Sequence, residues 1–303
     1  MTEQPSGGTP YIFVDSIHRA TWQIPLEHVE YDAVVAAKQA SEFARALEES
    51  YDQLIESYLE FQAYLARTTA ECSIRGLSSY DVLARWGRNN NHCAFNVLNT
   101  ARQFINHSKR NISELCKRLR HKKIDTITPF TTAYDRLEGY RVMEELHNAA
   151  QYAAFPLHGV SWGSNWLEDD GTKTRREIYE PQILPKMFSS SRSFKRRVLR
   201  ELKRKGDTVP FLPLLKEYLS GLSGVHHHYR QELKPLLKIS DTAIADLLRR
   251  GQQLTPGLER GYVRKQGPLS SYEKISQDQI ALRRALVQHN LAGPAMFKFD
   301  LHV

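Results

Sequence analysis

The chain is poor in cysteine, with three among 303 residues. Cys72, Cys93 and Cys116 are odd in number and show no CxxC spacing, so neither a disulfide framework nor a zinc cluster is expected. Long apolar runs are also missing. No stretch approaches the roughly 18 consecutive apolar residues of a membrane span. The opening "MTEQPSGGTP" lacks the basic and apolar parts of a secretion signal, which points to the cytoplasm. There is no GxxxxGK[ST], no GxGxxG after a strand and no GxSxG, so the familiar phosphate-loop, dinucleotide and nucleophile-elbow chemistries are not expected. No repeat recurs at a period of 20 to 50 residues, which disfavours a solenoid.

What the chain does have is an ordinary core-forming composition, 41% hydrophobic and 25% charged, and a net charge of +8. That charge is concentrated. Residues 108–123, "SKRNISELCKRLRHKK", carry +6 and residues 189–205, "SSSRSFKRRVLRELKRK", carry +7, so the remainder of the +8 chain is net −5. Two cationic islands on a mildly acidic body fit a polyanion partner, because clustered cations displace the counterions of a phosphate backbone. Lys109, Arg110, Lys117, Arg118 and Arg120 in the first island, and Lys195, Arg196, Arg197, Arg200, Lys203 and Arg204 in the second, are the candidate nucleic-acid-binding residues. The other reading of such runs is a solvated helix face.

Periodicity predicts a mainly α protein. Leu47, Tyr51, Leu54, Tyr58, Phe61 and Leu65 recur at spacings of four and three, giving a long amphipathic helix within 31–69. A second helix is predicted to about residue 108, presenting Val82, Trp86, Phe95, Leu98, Ala101 and Ile105 and interrupted at "RNNNH", 88–92, which is poor helix material. "NISE", 111–114, has capping-box spacing and predicts the start of a short basic helix. A helix over about 130–154 is expected to stop at Pro156. Residues 156–188 read as extended or irregular, with a hairpin at "EDDGTK". Another long helix is predicted from 214 on, with Pro235 as the obstacle to its reaching 250. "YIFV", 11–14, and "MFKFDLHV", 296–303, are β-prone and are candidates to pair with each other. The expected organisation is an N-terminal arm with a short strand (1–30), a helical bundle (31–255) with an irregular insertion (156–190), and a C-terminal helix and strand (256–303).

Two segments, "LNTARQFINHSKRNISEL" and "YRVMEELHNAAQYAAFPLHGVSWG", resemble the HEPN-like helical-bundle superfamily, whose members are commonly toxin, phage-defence or RNA-processing ribonucleases. The resemblance implies a long-helix bundle with small β or irregular elements at the termini and in the middle. It also implies a metal-independent mechanism, in which the ribose 2′-hydroxyl attacks the neighbouring phosphate at a cleft shared by two bundles. The family motif is Arg, four to six residues, then His, with a polar residue after the Arg. Histidine suits proton transfer near neutrality and a planar guanidinium cradles a phosphate.

Around residues 140–163 the motif's spacing survives with its chemistry exchanged. His147 stands in the arginine position, Asn148 is the polar follower and Tyr152 replaces the histidine. A second pair, Arg102 and His107 in "RQFINH", meets the spacing, as do Arg85 and His92. The resemblance thus implies a catalytic set of Arg102, His107, His147, Asn148 and Tyr152, with His158 after Pro156 as an accessory group. No cofactor and no metal is expected. "HHHYR", 226–230, does not alter this, since adjacent helical side chains point about 100° apart. RNA, a second copy of the chain or a helical protein are the expected partners, with no membrane. The competing expectation is a non-catalytic helical interaction or nucleic-acid-binding module, or an inhibitor of an active homologue, with all histidines structural. Trp162 and Trp166 are candidates for base stacking or for core packing.

Overall fold

The computed structural model describes residues 11–15, 21–75, 79–119, 122–151, 155–169, 172–191, 193–254, 260–264 and 272–290. It is mainly helical. The chain runs β1 (Tyr11–Asp15), β2 (Thr21–Pro25), α1 (His28–Arg75), α2 (Tyr80–Arg118), α3 (Thr128–Arg136), α4 (Glu138–Ala150), β3 (Gly159–Asp169), β4 (Thr172–Ile183), a 3-10 turn (Pro185–Phe188), α5 (Arg196–Arg204), β5 (Val209–Pro210), α6 (Phe211–Leu254), β6 (Arg260–Arg264), β7 (Tyr272–Ser276) and α7 (Gln277–His289). Among the described residues no helix is long and apolar enough to cross a membrane.

The chain divides into two compact units. The first comprises residues 1–49, 109–124 and 229–291. It holds an antiparallel sheet of order β2-β1-β6-β7 and a core of Leu26, Tyr31, Val34, Ala37, Ile244, Leu247, Leu248, Ile275 and Ile280. Strand β1 pairs with β2 and with β6. Residues 296–303, the strand expected beside it, lie outside the described residues. Arg230 donates to both carboxylate oxygens of the buried Glu48 and to the Asn290 carbonyl.

The second unit comprises residues 50–108, 125–228 and 292–303, and it contains most of the candidate site. The heptad-like positions of α1 within it, Tyr51, Leu54, Tyr58, Phe61 and Leu65, are buried, as are Leu98, Ala101 and Ile105 of α2 and Leu215, Tyr218, Leu219 and Leu222 of α6. Burying these stripes of large side chains supplies the hydrophobic drive for the bundle. Strands β3 and β4 pair antiparallel as the expected hairpin, with Asp169 opposite Thr172.

Four helix expectations need correction. The "RNNNH" segment does not interrupt α2. Asn90 is buried and donates to the Tyr179 hydroxyl at 2.6 Å, and the Asn91 amide donates to the Leu157 carbonyl while accepting from the Leu157 N–H, both at 2.9 Å. These tertiary bonds override poor helix propensity. "NISE" does not start a helix either, because α2 runs through it with Ile112 buried. The helix expected over 130–154 is two helices, broken at Leu137, whose backbone is extended, and the second ends at Ala150. The break is held by Gly139, whose N–H donates to Glu217 at 2.5 Å and where a Cβ would overlap the Leu214 carbonyl of α6. Arg141 also closes α3 by donating to the Tyr134 and Asp135 carbonyls at 3.0 Å each. Finally, α6 continues through Pro235, an exposed position, while Leu233 beside it is buried.

Candidate functional site

Helix α4 brings part of the predicted set together. Its Glu144 accepts from the Arg102 guanidinium of α2 at 2.8 Å and from the buried Tyr218 hydroxyl of α6 at 2.8 Å. One turn on, His147 Nε2 lies 3.2 Å from the Asn99 side-chain oxygen, and Gln151 reaches both groups at 3.4 Å. Burial lowers the His147 pKa from the ordinary histidine value, and the nearby Arg102 charge adds to this; Glu144 and the Asn148 side chain act in the opposite direction. Arg102, His147 and Asn148 are therefore neighbours. Tyr152 lies outside the described residues.

The remaining predicted groups are elsewhere. His107 is exposed on α2, five positions beyond Arg102 and about 140° around the helix. His158 sits at the foot of the hairpin, edge-on to Phe188 at 5.1 Å between ring centroids, and its Nδ1 faces the Leu184 N–H at 3.5 Å. Burial lowers its pKa. His92 is exposed and lies 3.4 Å from Asn96, and Arg85 is exposed. In the triple histidine, His226 is buried and stacked on Tyr51 at 3.9 Å, whereas His227 and His228 are exposed. His228 and Arg136 line a groove of about 720 Å³ between α3 and α6, floored by Gly221 and Gly224.

Chemically, the Arg102 cluster does not present a free phosphate cradle. A carboxylate already neutralises the guanidinium, and an incoming phosphate would have to displace Glu144 or accept its repulsion. Burial favours the neutral form of His147, which serves as a hydrogen-bonding group among amides.

The second cationic island forms α5. Val198, Leu199 and Leu202 are buried, and Arg196, Arg197, Arg200, Lys203 and Arg204 are exposed. Arg196 and Arg200 are four apart, and Lys203 and Arg204 lie three and four positions beyond Arg200, which places all four on one side of the helix; these four have no acidic partner among the described residues. Arg197 is paired with Glu201, which also accepts from Arg141 at 3.1 Å. The helix is held at its start by the buried carboxylate of Glu145, which accepts from the Lys195 N–H at 3.0 Å and pairs with its ammonium at 3.0 Å. Negative charge at this end complements the helix dipole. The Lys195 ammonium also donates to the Tyr134 hydroxyl at 2.9 Å, which raises its pKa. The chain leaves α5 through Gly206, at φ 137°, a left-handed cap that only glycine adopts freely.

The first island lies in the other unit and is more committed. Arg118 is paired with Glu114 and sits over the Phe43 ring at 5.7 Å. Lys109 is half-buried and partnered, while Arg110 and Lys117 are exposed. Arg120 lies outside the described residues.

Sequence reasoning missed Asn99, Glu144, Glu145, Arg141 and Tyr218. The adjacent acids of "MEELH" were a usable signal, since two successive helical carboxylates face directions about 100° apart and reach different neighbours. Comparison with known proteins finds no matching family model, no matching curated protein and no matching solved structure.

Proposed function

We propose that this chain is a non-catalytic helical module that binds RNA through the cationic face of α5. The observation that carries this is the stripe of Arg196, Arg200, Lys203 and Arg204, exposed and without acidic partners among the described residues, on a helix fixed by buried apolar groups and a buried carboxylate. Cations left unneutralised on a rigid element favour a phosphate backbone, where each contact releases counterions. The resemblance to HEPN-like proteins supports RNA as the polyanion. The pairing of Arg102 with Glu144 supports binding without turnover, because the guanidinium that would stabilise a growing phosphate charge is already satisfied.

A fluorescent RNA strand in metal-free buffer tests both halves. The expected result is binding that weakens steeply with salt and an intact strand after prolonged incubation. Cleavage abolished by His107→Ala would replace this reading with the ribonuclease one, and salt-insensitive or absent binding would remove it.

A further inference from the structure

Helix α2 turns an unusual face to solvent. From Asn89 to His107 the sole charged residue is Arg102, in a chain that is 25% charged overall. Opposite the buried face of the helix, Asn89, His92, Asn96, Asn99, Gln103 and Asn106 follow one another at intervals of three and four. Four of them are exposed, and Asn96 and Asn99 are half-buried. Asparagine is a weak helix former, so the four asparagines of this face, Asn89, Asn96, Asn99 and Asn106, do not serve helix propensity, whereas Asn90 and Asn91 make the tertiary bonds described above. An exposed helix face is ordinarily furnished with charge; this one carries amides and an imidazole instead, with Asn99 bonded to His147 and Gln151, His92 beside Asn96, and Gln103 and Asn106 exposed.

The second element is α4. It lies between α2 and α5: Glu144, His147 and Gln151 bond to α2, whereas Arg141 and Glu145 bond to α5. Asn148 of α4 and Gln151, the residue after its last, extend the amide surface, both at least partly exposed. An uncharged hydrogen-bonding face and an unneutralised cationic stripe thus flank a single helix within one unit. An RNA strand has the same two parts, bases that carry planar donor and acceptor pairs and a backbone that carries charge.

We propose that the amide face of α2 reads base edges of the RNA whose phosphates lie on α5, with a preference for adenine. The inference rests on the RNA-binding reading above. A carboxamide presents one donor and one acceptor in a plane, the complement of adenine N6 and N7, and asparagine and glutamine make this bidentate pair. On a single strand uracil also carries a donor and acceptor pair, N3–H and O4, on its Watson–Crick edge. The edge that corresponds to adenine N6 and N7 holds only the O4 acceptor, however, and the preference is expected from that edge. Phosphate contacts position a strand and base contacts specify it, which divides the labour between α5 and α2.

The test uses the full chain and four fluorescent strands of equal length, about twelve nucleotides each: oligo-A, oligo-U, oligo-C and an abasic ribose-phosphate backbone. Oligo-A is expected to bind about 10-fold or more tightly than oligo-U or the abasic strand. In Asn96→Ala/Gln103→Ala/Asn106→Ala, oligo-A affinity should fall to that of the abasic strand, with abasic binding and salt dependence unchanged. Alanine raises helix propensity at these positions, and Gln103→Met, which keeps the side chain's length without its hydrogen bonds, should lose part of the preference on the same fold. Equal binding of oligo-A and the abasic strand by the parent, or a preference that survives the triple substitution, overturns base reading while leaving backbone binding intact. Failure of the RNA reading looks different: no strand binds, or Arg196→Ala/Arg200→Ala/Lys203→Ala/Arg204→Ala leaves abasic binding unchanged, and either result takes the base-reading proposal with it.

Discussion

Helices α2 and α5 both bury an apolar stripe in the same unit, yet they turn opposite chemistries outward. The outer face of α5 is a row of arginine and lysine held from below by Glu145. That of α2, through 89–107, is a row of amides and imidazoles with Arg102 as its one charge, and Glu144 neutralises it. The net charge on these two helices is therefore not spread as a solvation layer. It is withheld from one surface and gathered on another, and α4 supplies a carboxylate to each side for a different purpose. Glu145 anchors the cationic helix, whereas Glu144 cancels the lone cation of the neutral face.

The contrast breaks most severely at Glu145. Its carboxylate is fully buried, so Glu145→Ala leaves the Lys195 N–H without its acceptor and opens a cavity under α5, for a loss of about 3 kcal/mol in urea unfolding. RNA binding should fall with it, because the cationic stripe loses its mounting. Removing the stripe itself by alanine at Arg196, Arg200, Lys203 and Arg204 should leave the unfolding midpoint in place. It should also weaken binding by about 100-fold at low salt and flatten the logarithmic salt slope by about 3, measured by fluorescence anisotropy.

Arg102→Ala probes the neutral face. It strips a partner from Glu144, whose side chain is 16% exposed, and should cost about 1 to 2 kcal/mol of stability with RNA affinity unchanged. A large loss of affinity would return Arg102 to a phosphate-binding role. The smallest effect is acid sensitivity. His147 and His158 both have lowered pKa values, so the folded state favours their neutral forms and the unfolded chain takes up protons first. Their contribution is complete above about 6.5 and is lost as the pH falls from there through the lower folded values. Comparing urea midpoints at pH 7.5 and 5.5 should show a decline that His147→Gln/His158→Gln reduces.

The apolar skeleton was legible in the sequence because it is local and periodic. Tyr51, Leu54, Tyr58, Phe61 and Leu65 are buried as their spacing requires, and within "EDDGTK" Glu168 pairs with Lys173 and Asp169 with Thr172. What was hidden depends on distant partners. Asn90 and Asn91 read as helix breakers until Tyr179 and Leu157 supply their bonds from 89 and 66 positions away. The break at Leu137 leaves no mark of its own because it is imposed by the close approach of α6 at Gly139. The same limit governs the site. Spacing paired Arg102 with His107 along one helix, but it could not reveal that Glu144 from another helix would take the guanidinium, or that His158 would sit against Phe188.

Arg141 has a consequence for mutational tolerance. Its guanidinium closes the end of α3 through two carbonyls and reaches Glu201 of α5 from a position on α4, with its side chain only 15% exposed. Lysine and arginine are interchangeable at most surface positions of so basic a chain. Here a single ammonium cannot serve divergent acceptors on two helices at once, so the mildest replacement in the genetic code would act as a disruptive one.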